Sequence, residues 1–301
     1  MKLFLISFIT VLLIRCNYCS AQRIPKVSSG KIIRIEKFHS KYVNPRNIDV
    51  WLPENYDTTK KYAVIYMQDG QMLFDSTITP NRQEWQVDEI TTDLNLENKI
   101  RDCIVVGIFS IKKYRVTEFV PRVALNGLLE PEWSNFIRKR MKGKPLSDNY
   151  LKFLVSELKP YIDKTFSTKT DPANTAIMGS SAGGLVSVYA FCKYPEIFGC
   201  AGCFSTGWPL ASYSPINRAN LNTAFREFLF YNLPRSPKGK IYFDYGNEKL
   251  CKLFQILVDS VMEKAGYDSA NWITREFPND NHSEKSWSRR LSFALEFLLP
   301  K

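Results

Sequence analysis

Apolar runs and polar segments alternate along this chain in a way that predicts an α/β fold. Residues 62–67 and 103–108 are continuous apolar runs, which are typical of parallel strands buried on both faces. Residues 31–38 and 46–52 precede them, and the second of these alternates polar and apolar positions as a half-exposed edge strand does. We therefore expect a short antiparallel start followed by a mostly parallel, doubly wound sheet.

Strand and helix patterns continue to alternate as far as the C-terminus. Strands are predicted at residues 175–178, 198–204, 240–246 and 272–277, and helices at about 85–96, 150–166, 185–191, 250–265 and 284–298. Two segments interrupt this alternation of strands and helices. Residues 110–147 are rich in Arg, Lys and Pro, and residues 206–236 are rich in aromatic residues. We interpret both as loop insertions within one domain, residues 22–301, that has no separate cap domain.

The first 21 residues have the pattern of a signal peptide. Lys2 supplies a positive charge, residues 3–14 are apolar, and residues 19–21 resemble a cleavage site. The apolar run is too short to span a bilayer comfortably, and no later run approaches membrane length. We expect secretion or delivery to a periplasm, with no stable membrane span after removal of the leader. The alternative is an uncleaved anchor.

Charge and cysteine content exclude several classes of protein. The formal net charge of +11 weakly favours anionic surfaces or substrates. The basic cluster at residues 138–144 has no nucleic-acid-binding motif beside it, so a solvated loop is favoured and nucleic acid is not an expected partner. Five cysteines remain outside the leader, and an odd number does not make a disulfide framework.

One pair of these cysteines, Cys200 and Cys203, has the spacing of a redox or zinc motif. The pair lies in an apolar run and has no second ligand pair in the sequence, so we favour buried structural cysteines. The sequence predicts neither a metal nor a cofactor.

The strongest chemical signal is the segment Gly179-Ser180-Ser181-Ala182-Gly183, which fits the pattern Gly-x-Ser-x-Gly. A strand pattern precedes it and a helical pattern follows, which is the context of a nucleophile elbow. The sharp turn pushes the Ser181 hydroxyl outwards, and side chains at Gly179 or Gly183 would clash. The alternative is a Ser/Gly-rich loop between a strand and a helix.

A serine nucleophile needs a base, and the chain has only two histidines, His39 and His282. His282 follows the last predicted strand, where the chain order Ser, acid, His places the base; the alternative is an ordinary polar loop residue. The acid is expected just after residues 240–246, and Glu248 is the only carboxylate in that turn. Asp244 is the alternative acid, and Glu248 could instead simply favour the helix that follows it.

Two backbone N–H groups are expected to bind the oxyanion. The first is that of Ala182, at the start of the helix that follows Ser181. The second is expected in the loop after the first buried parallel strand, which begins at Gln68. Gly70 permits a close backbone approach, so the donor is Gly70 or Gln71, although a simple turn is compatible with the same residues.

Six motifs then occur in a specific order: Val50-Trp51-Leu52-Pro53-x-x-Tyr56, Tyr66-Met67-Gln68-Asp69-Gly70-Gln71, Glu84-Trp85-x-Val87-Asp88-Glu89, the segment around Ser181, Tyr194-Pro195-Glu196-Ile197-Phe198-Gly199 and His282-Ser283-Glu284-Lys285-Ser286-Trp287. From about residue 35 to the C-terminus the chain resembles the putative-esterase family. That family includes enterochelin esterases, S-formylglutathione hydrolase, and feruloyl and acetyl esterases of plant-polysaccharide breakdown. The resemblance implies an α/β-hydrolase fold.

The chain departs from the pattern of this family at positions that bear on activity. Close relatives tend to carry histidine at positions 68 and 207 and often aspartate at position 251, where this chain has Gln68, Gly207 and Cys251. If that aspartate is the family's triad acid, Glu248 has to replace it. Loss of the acid alone typically costs about four orders of magnitude in turnover.

Two functions compete on these observations. The first is a secreted serine esterase that hydrolyses a carboxylic ester, such as a carbohydrate-linked acetyl or feruloyl ester, through an acyl-enzyme on Ser181. The second is a binding protein with attenuated catalysis on an esterase scaffold, and a peptidase is a weaker third. The loops expected around the pocket give Gln68, Trp208 and Arg115 as candidate contacts for a small-molecule or carbohydrate ester.

Overall fold

The computed structural model describes residues 22–127, 134–135, 138–139, 141–142, 144–208, 215–235 and 239–301. The predicted leader, residues 1–21, lies outside the described residues, as do parts of both predicted insertions.

One mixed sheet forms the centre of the protein. Its strands are β1 (Lys31–Phe38), β2 (Arg46–Leu52), β3 (Ala63–Gln68), β4 (Cys103–Ile108), β5 (Thr175–Ser180), β6 (Cys200–Phe204), β7 (Lys240–Tyr245) and β8 (Trp272–Glu276). Their spatial order is β1-β2-β4-β3-β5-β6-β7-β8. The first two pairings, β1 with β2 and β2 with β4, are antiparallel, and every later pairing is parallel. The predicted antiparallel start and parallel continuation are therefore confirmed.

Helices cover both faces of this sheet. They are α1 (Val87–Leu96), α2 (Arg115–Phe119), α3 (Ser147–Phe153), α4 (Lys159–Thr165), α5 (Ala182–Lys193), α6 (Pro215–Asn232), α7 (Lys249–Lys264) and α8 (Glu284–Leu298). A π-helical stretch, Leu154–Leu158, connects α3 to α4.

The continuous apolar strands contribute alternate residues to two separate cores. In β5, Ile177 packs on the face covered by α5, whereas Ala176 and Met178 pack on the face covered by α1 and α8. This alternation explains why the parallel strands read as unbroken apolar runs, because both faces of each strand are buried.

The segment 206–236, expected to be an irregular insertion, contains the 18-residue helix α6. Its aromatic residues Phe225 and Phe228 stack on each other in the core beside α5, and Trp208 packs against Phe225. Within residues 110–147, short helical turns at Arg115–Phe119 and Arg122–Gly127 replace the expected irregular chain.

The five cysteines among the described residues are all free thiols. Four of them, Cys103, Cys192, Cys200 and Cys203, are buried, and Cys251 is partly buried. Burial raises the pKa of every one of these thiols, to about 12 at Cys103 and Cys251. In the part of the chain that the structure describes, no helix has the length and apolar character needed to cross a membrane.

Candidate active site

Ser181 occupies the sharp turn between β5 and α5. Its backbone has φ 55° and ψ −122°, a strained conformation for a residue with a side chain. The Ser181 N–H donates to the Phe204 carbonyl at 2.9 Å, which fixes the turn to β6. A Cβ at Gly179 would lie 2.9 Å from the carbonyl carbon of Gly183, so the first glycine is required by the close approach of the two chain segments.

Ser181 and His282 line the same cleft, which has a volume of about 510 Å³. Loops from both ends of the sequence contribute to it, because the carboxyl ends of the parallel strands meet there. The other residues that line this cleft are Asp69, Gln71, Met72, Pro80, Asn81, Trp85, Ser110, Lys112, Arg115, Ser180, Glu284 and Trp287. The cleft therefore has two tryptophans and a mixed set of charged groups.

His282 is in hydrogen-bond contact with Glu248, with 3.0 Å between Nδ1 and Oε1. Glu248 lies between β7 and α7, and His282 lies between β8 and α8, on the loops that follow adjacent parallel strands. The Glu248 carboxylate can only accept, so Nδ1 carries the proton and Nε2 is left as the basic nitrogen. This is the tautomer that a serine hydrolase needs.

The second carboxylate oxygen of Glu248 is also bound. Oε2 accepts the Gly246 N–H at 2.7 Å, and the Ser205 side chain is another hydrogen-bond partner of the carboxylate. Burial acts to raise the pKa of Glu248, but the hydrogen bonds from His282, the backbone and Ser205 outweigh it and lower the pKa to about 2. Glu248 is therefore a carboxylate over the whole neutral range.

Asp244, the alternative acid, is directed elsewhere. It is fully buried, accepts hydrogen bonds from the Tyr242 hydroxyl and the Ser205 N–H, and lies 3.4 Å from the Arg290 guanidinium. Burial raises its pKa, which the charge of Arg290 opposes. Cys251, where relatives often have aspartate, directs its Sγ to the Thr206 carbonyl at 3.2 Å.

The predicted oxyanion donors belong to two separate elements, α5 and a short turn after β3. Ala182 is the first residue of α5, so its N–H has no acceptor within the helix. Gly70 and Gln71 begin a short 3₁₀ turn after Asp69, which has φ 55°. A Cβ at Gly70 would be 2.4 Å from the carbonyl carbon of Gly107, so only glycine fits there, and Gln71 lines the cleft.

Two of the three predicted substrate contacts are buried away from the cleft lining. Gln68 is 2% exposed, and its Oε1 accepts the Tyr150 hydroxyl. Trp208 is also 2% exposed and donates its Nε1–H to Gln255 at 3.0 Å. The Gln68 side chain enters the core from the last position of β3, and the Trp208 side chain enters it from the segment after β6. We therefore do not retain them as substrate contacts.

Arg115, the third predicted contact, does line the cleft. Its guanidinium makes two hydrogen bonds of 2.8 Å to the Asp69 carboxylate. This bidentate pair joins α2 to the turn after β3. The Asp69 carboxylate therefore balances much of the positive charge of Arg115.

The aromatic lining comes from residues that sequence reasoning did not single out as contacts. Trp85 and Trp287 both line the cleft and stack on each other at 5.5 Å between ring centroids. The Trp287 ring also meets the His282 ring edge to face at 5.0 Å. Both tryptophans belong to motifs that carry the family resemblance, and Trp287 follows His282 by five residues, which was the available signal.

The described residues contain no group of three or more His, Cys, Asp or Glu side chains arranged to hold a metal ion.

A family model described as putative esterase matches residues 40–298. The chain belongs to this family.

Curated relatives match part of the chain. One is the endo-1,4-beta-xylanase/feruloyl esterase of Xylanibacter ruminicola, which is 26% identical over 186 residues, 60% of this chain and 22% of that enzyme. Another is an uncharacterized protein of Bacillus subtilis, YbbA, which is 25% identical over 161 residues, 53% of this chain and 56% of that protein. Each match spans less than two thirds of the relative's length.

Solved structures match nearly the whole chain. A ferulic acid esterase of the anaerobic fungus Anaeromyces mucronatus has a TM-score of 0.63 at 21% identity and covers 91% of this chain and 92% of its own. An enterobactin esterase of Shigella flexneri has a TM-score of 0.67 at 16% identity, with 92% of this chain and 60% of its own covered. These similarities confirm the predicted α/β-hydrolase fold.

Proposed function

We propose that this protein is a secreted serine esterase that hydrolyses a carboxylic ester through an acyl-enzyme. The observation that carries the proposal is the 3.0 Å contact between His282 Nδ1 and Glu248 Oε1 beside a cleft that Ser181 also lines. The contact supports Glu248 as the acid that orients the base, although position 251, where relatives often have aspartate, carries a cysteine in this chain.

In the first half of the reaction Ser181 Oγ attacks the ester carbonyl carbon, and His282 Nε2 takes the hydroxyl proton. The carbonyl oxygen becomes an oxyanion that accepts from the N–H of Ala182 and from that of Gly70 or Gln71. His282 then gives its proton to the departing alkoxide, and the alcohol leaves. An ester now joins the acyl group to Ser181.

In the second half a water molecule replaces the alcohol. His282 Nε2 takes a proton from the water as its oxygen attacks the acyl carbon, and the same N–H groups bind the second oxyanion. The carboxylic acid leaves when His282 returns the proton to Ser181 Oγ. Glu248 stays ionised throughout and stabilises the imidazolium that forms twice in each cycle.

The substrate that we propose is a carbohydrate-linked acetyl or feruloyl ester. Trp85 and Trp287 stack on each other and, although both are almost fully buried, form an aromatic part of the cleft lining that suits an aromatic acyl group or a sugar ring. The names of the Xylanibacter enzyme and of the Anaeromyces structure also point to feruloyl esters. Delivery outside the cytoplasm is proposed from the leader pattern in residues 1–21.

The proposal is tested with p-nitrophenyl acetate, a feruloylated oligosaccharide and a fluorophosphonate probe. We expect turnover and labelling in the wild type and loss of both in Ser181→Ala. His282→Gln should behave in the same way, whereas His39→Gln, at the other and exposed histidine, serves as the matched control and keeps full activity. Labelling that persists unchanged in Ser181→Ala would refute the serine mechanism.

Cys251→Asp separates this proposal from the alternative of a binding protein with attenuated catalysis. If Glu248 is the working acid, restoring aspartate at this position leaves kcat unchanged or lowers it. A gain of several orders of magnitude in kcat would instead mean that the protein lost its triad acid at position 251, as the binding-protein alternative requires.

A further inference from the structure

Ser205 is a fully buried residue directly behind the Glu248–His282 pair. It follows the last residue of β6 and has φ 40°, the left-handed region that residues with a side chain seldom adopt. Its N–H donates to the backbone oxygen of Asp244 at 2.9 Å and lies 3.1 Å from Oδ1 of the same residue. The backbone of Ser205 is therefore attached to β7, the neighbouring strand.

The hydroxyl of Ser205 accepts two hydrogen bonds from groups that can only donate. Trp287 Nε1 and one terminal nitrogen of Arg290 each lie 3.1 Å from Ser205 Oγ. An indole N–H and a guanidinium have no acceptor, and a hydroxyl oxygen has two lone pairs. Both lone pairs of Ser205 are thus occupied, and its own O–H has to donate to a third group.

The third group is the Glu248 carboxylate, which has the Ser205 side chain as a hydrogen-bond partner. Glu248 then accepts from His282 and Gly246 at the distances given above and from Ser205 in addition. A carboxylate that accepts from three donors has less freedom to rotate than one that accepts from His282 alone.

Trp287 connects this arrangement to the base. Its N–H orients Ser205, and its ring contacts His282 edge to face at 5.0 Å while it stacks on Trp85. The Trp287 side chain therefore contacts the His282 ring directly, and it acts on Glu248 through Ser205.

We propose that Ser205 is a positioning residue for the hydrolysis, whose hydroxyl is oriented by Trp287 and Arg290 and fixes the Glu248 carboxylate that orients His282. The inference rests on the proposed serine esterase function. It assigns the buried Ser205–Trp287–Arg290 cluster to the reaction, although none of these three residues supplies a nucleophile, base or acid.

The test is a double-mutant cycle between Ser205→Ala and Glu248→Gln. We expect Ser205→Ala to lower kcat and the rate of fluorophosphonate labelling by on the order of 10- to 100-fold, since it removes a hydrogen bond to a charged group, with KM unchanged. In the Glu248→Gln background the same change should alter both rates by no more than about twofold. An equal loss in the two backgrounds would mean a merely structural role and would overturn the inference.

Trp287→Phe gives a second test in case Ser205→Ala does not fold. It keeps an aromatic ring beside His282 but removes the N–H that orients Ser205. A proton NMR spectrum supplies a readout that is independent of turnover, because the Nδ1–H···Oε1 hydrogen bond gives a strongly downfield signal. We expect that signal to broaden or vanish in Trp287→Phe and in Ser205→Ala, and its persistence unchanged in both overturns the inference.

Ser288→Ala is the matched control. Ser288 lies in α8 and, like Ser205, is buried. Its hydroxyl donates to the Lys285 carbonyl at 3.0 Å and not to Glu248. It should match the wild type in kcat, labelling rate and the downfield signal. If Ser181→Ala is labelled like the wild type, the proposed function fails and this inference with it. If Ser181→Ala abolishes labelling, but Ser205→Ala lowers kcat equally with and without Glu248→Gln, the proposed function stands and only the role of Ser205 is refuted.

Discussion

Replacing Glu248 by glutamine removes the charge behind His282 and keeps the shape of the side chain. In Glu248→Gln the amide can present either its oxygen or its nitrogen to Nδ1. With the nitrogen presented, His282 holds its proton on Nε2 and can no longer act as the base towards Ser181. With the oxygen presented, the geometry survives but the imidazolium loses its counter-charge.

The size of the effect can be worked from the surroundings of Glu248. Its side chain is only 17% exposed, so solvent screens its interactions little. The net effect of its hydrogen bonds and burial lowers the pKa from its ordinary value of 4.5 to about 2. At about 1.4 kcal/mol for each pKa unit, this shift corresponds to about 3–4 kcal/mol, or on the order of 10²-fold in rate if it is lost in the transition state.

The upper limit is the loss of about 10⁴-fold that follows when a triad acid is replaced by its amide. We therefore expect kcat of Glu248→Gln to fall by between about 10² and 10⁴ at neutral pH, with little change in KM. The assay is steady-state hydrolysis of p-nitrophenyl acetate, with the labelling rate by fluorophosphonate as a substrate-independent check.

Glu263→Gln is the matched control, because Glu263 is an exposed residue near the other end of α7. It should leave kcat unchanged. A Glu248→Gln enzyme that retains kcat within a factor of a few of the wild type would refute the reasoning, since it would mean that His282 needs no carboxylate at this position.

Because the pKa of Glu248 is lower in the folded protein than in the unfolded chain, its ionised carboxylate stabilises the fold above pH 4.5, and this stabilisation is lost as the pH falls towards about 2. The difference in unfolding free energy between the wild type and Glu248→Gln, measured by urea titration, should therefore shrink between pH 4.5 and about 2. Glu118 forms a buried bidentate pair with Arg46, and Glu118→Ala should lower the unfolding free energy by about 3–5 kcal/mol in the same assay. Gly70→Ala places a Cβ 2.4 Å from the backbone of Gly107, so it should lower both the melting temperature and kcat; an unchanged kcat would exclude this loop from the oxyanion hole.

The fold could be predicted because its signals are local. Continuous apolar runs mark strands that are buried on both faces, and the strand–Ser181–helix order needs no long-range information. Only two histidines are present, so the choice of His282 over His39 depended on chain order alone. The α6 helix was missed because its aromatic residues contact α5 and Trp208 from several sides, and they do not form one periodic stripe.

The geometry around the acid could not be predicted, because it depends on contacts between distant segments. Gly246 closes onto the Asp280 backbone, where a Cβ would lie 2.3 Å from its oxygen, and this contact brings the loops of β7 and β8 together. The direction of a side chain at the end of a strand, or after it, also cannot be read from its sequence position. For that reason Gln68 and Trp208 were expected in the cleft, whereas tertiary packing turns both into the core.

Because its native thiols are buried, the protein is suited to site-directed labelling at an added cysteine. Cys103, Cys192, Cys200 and Cys203 are buried, and Cys251 has a pKa of about 12, so none of these five presents a thiolate to a maleimide at neutral pH. In a protein that lacks residues 1–21, one added cysteine at the cleft rim, as in Lys112→Cys, would be the single reactive position. A fluorophore or spin label there would report acyl-group binding and release in real time without removal of any native cysteine.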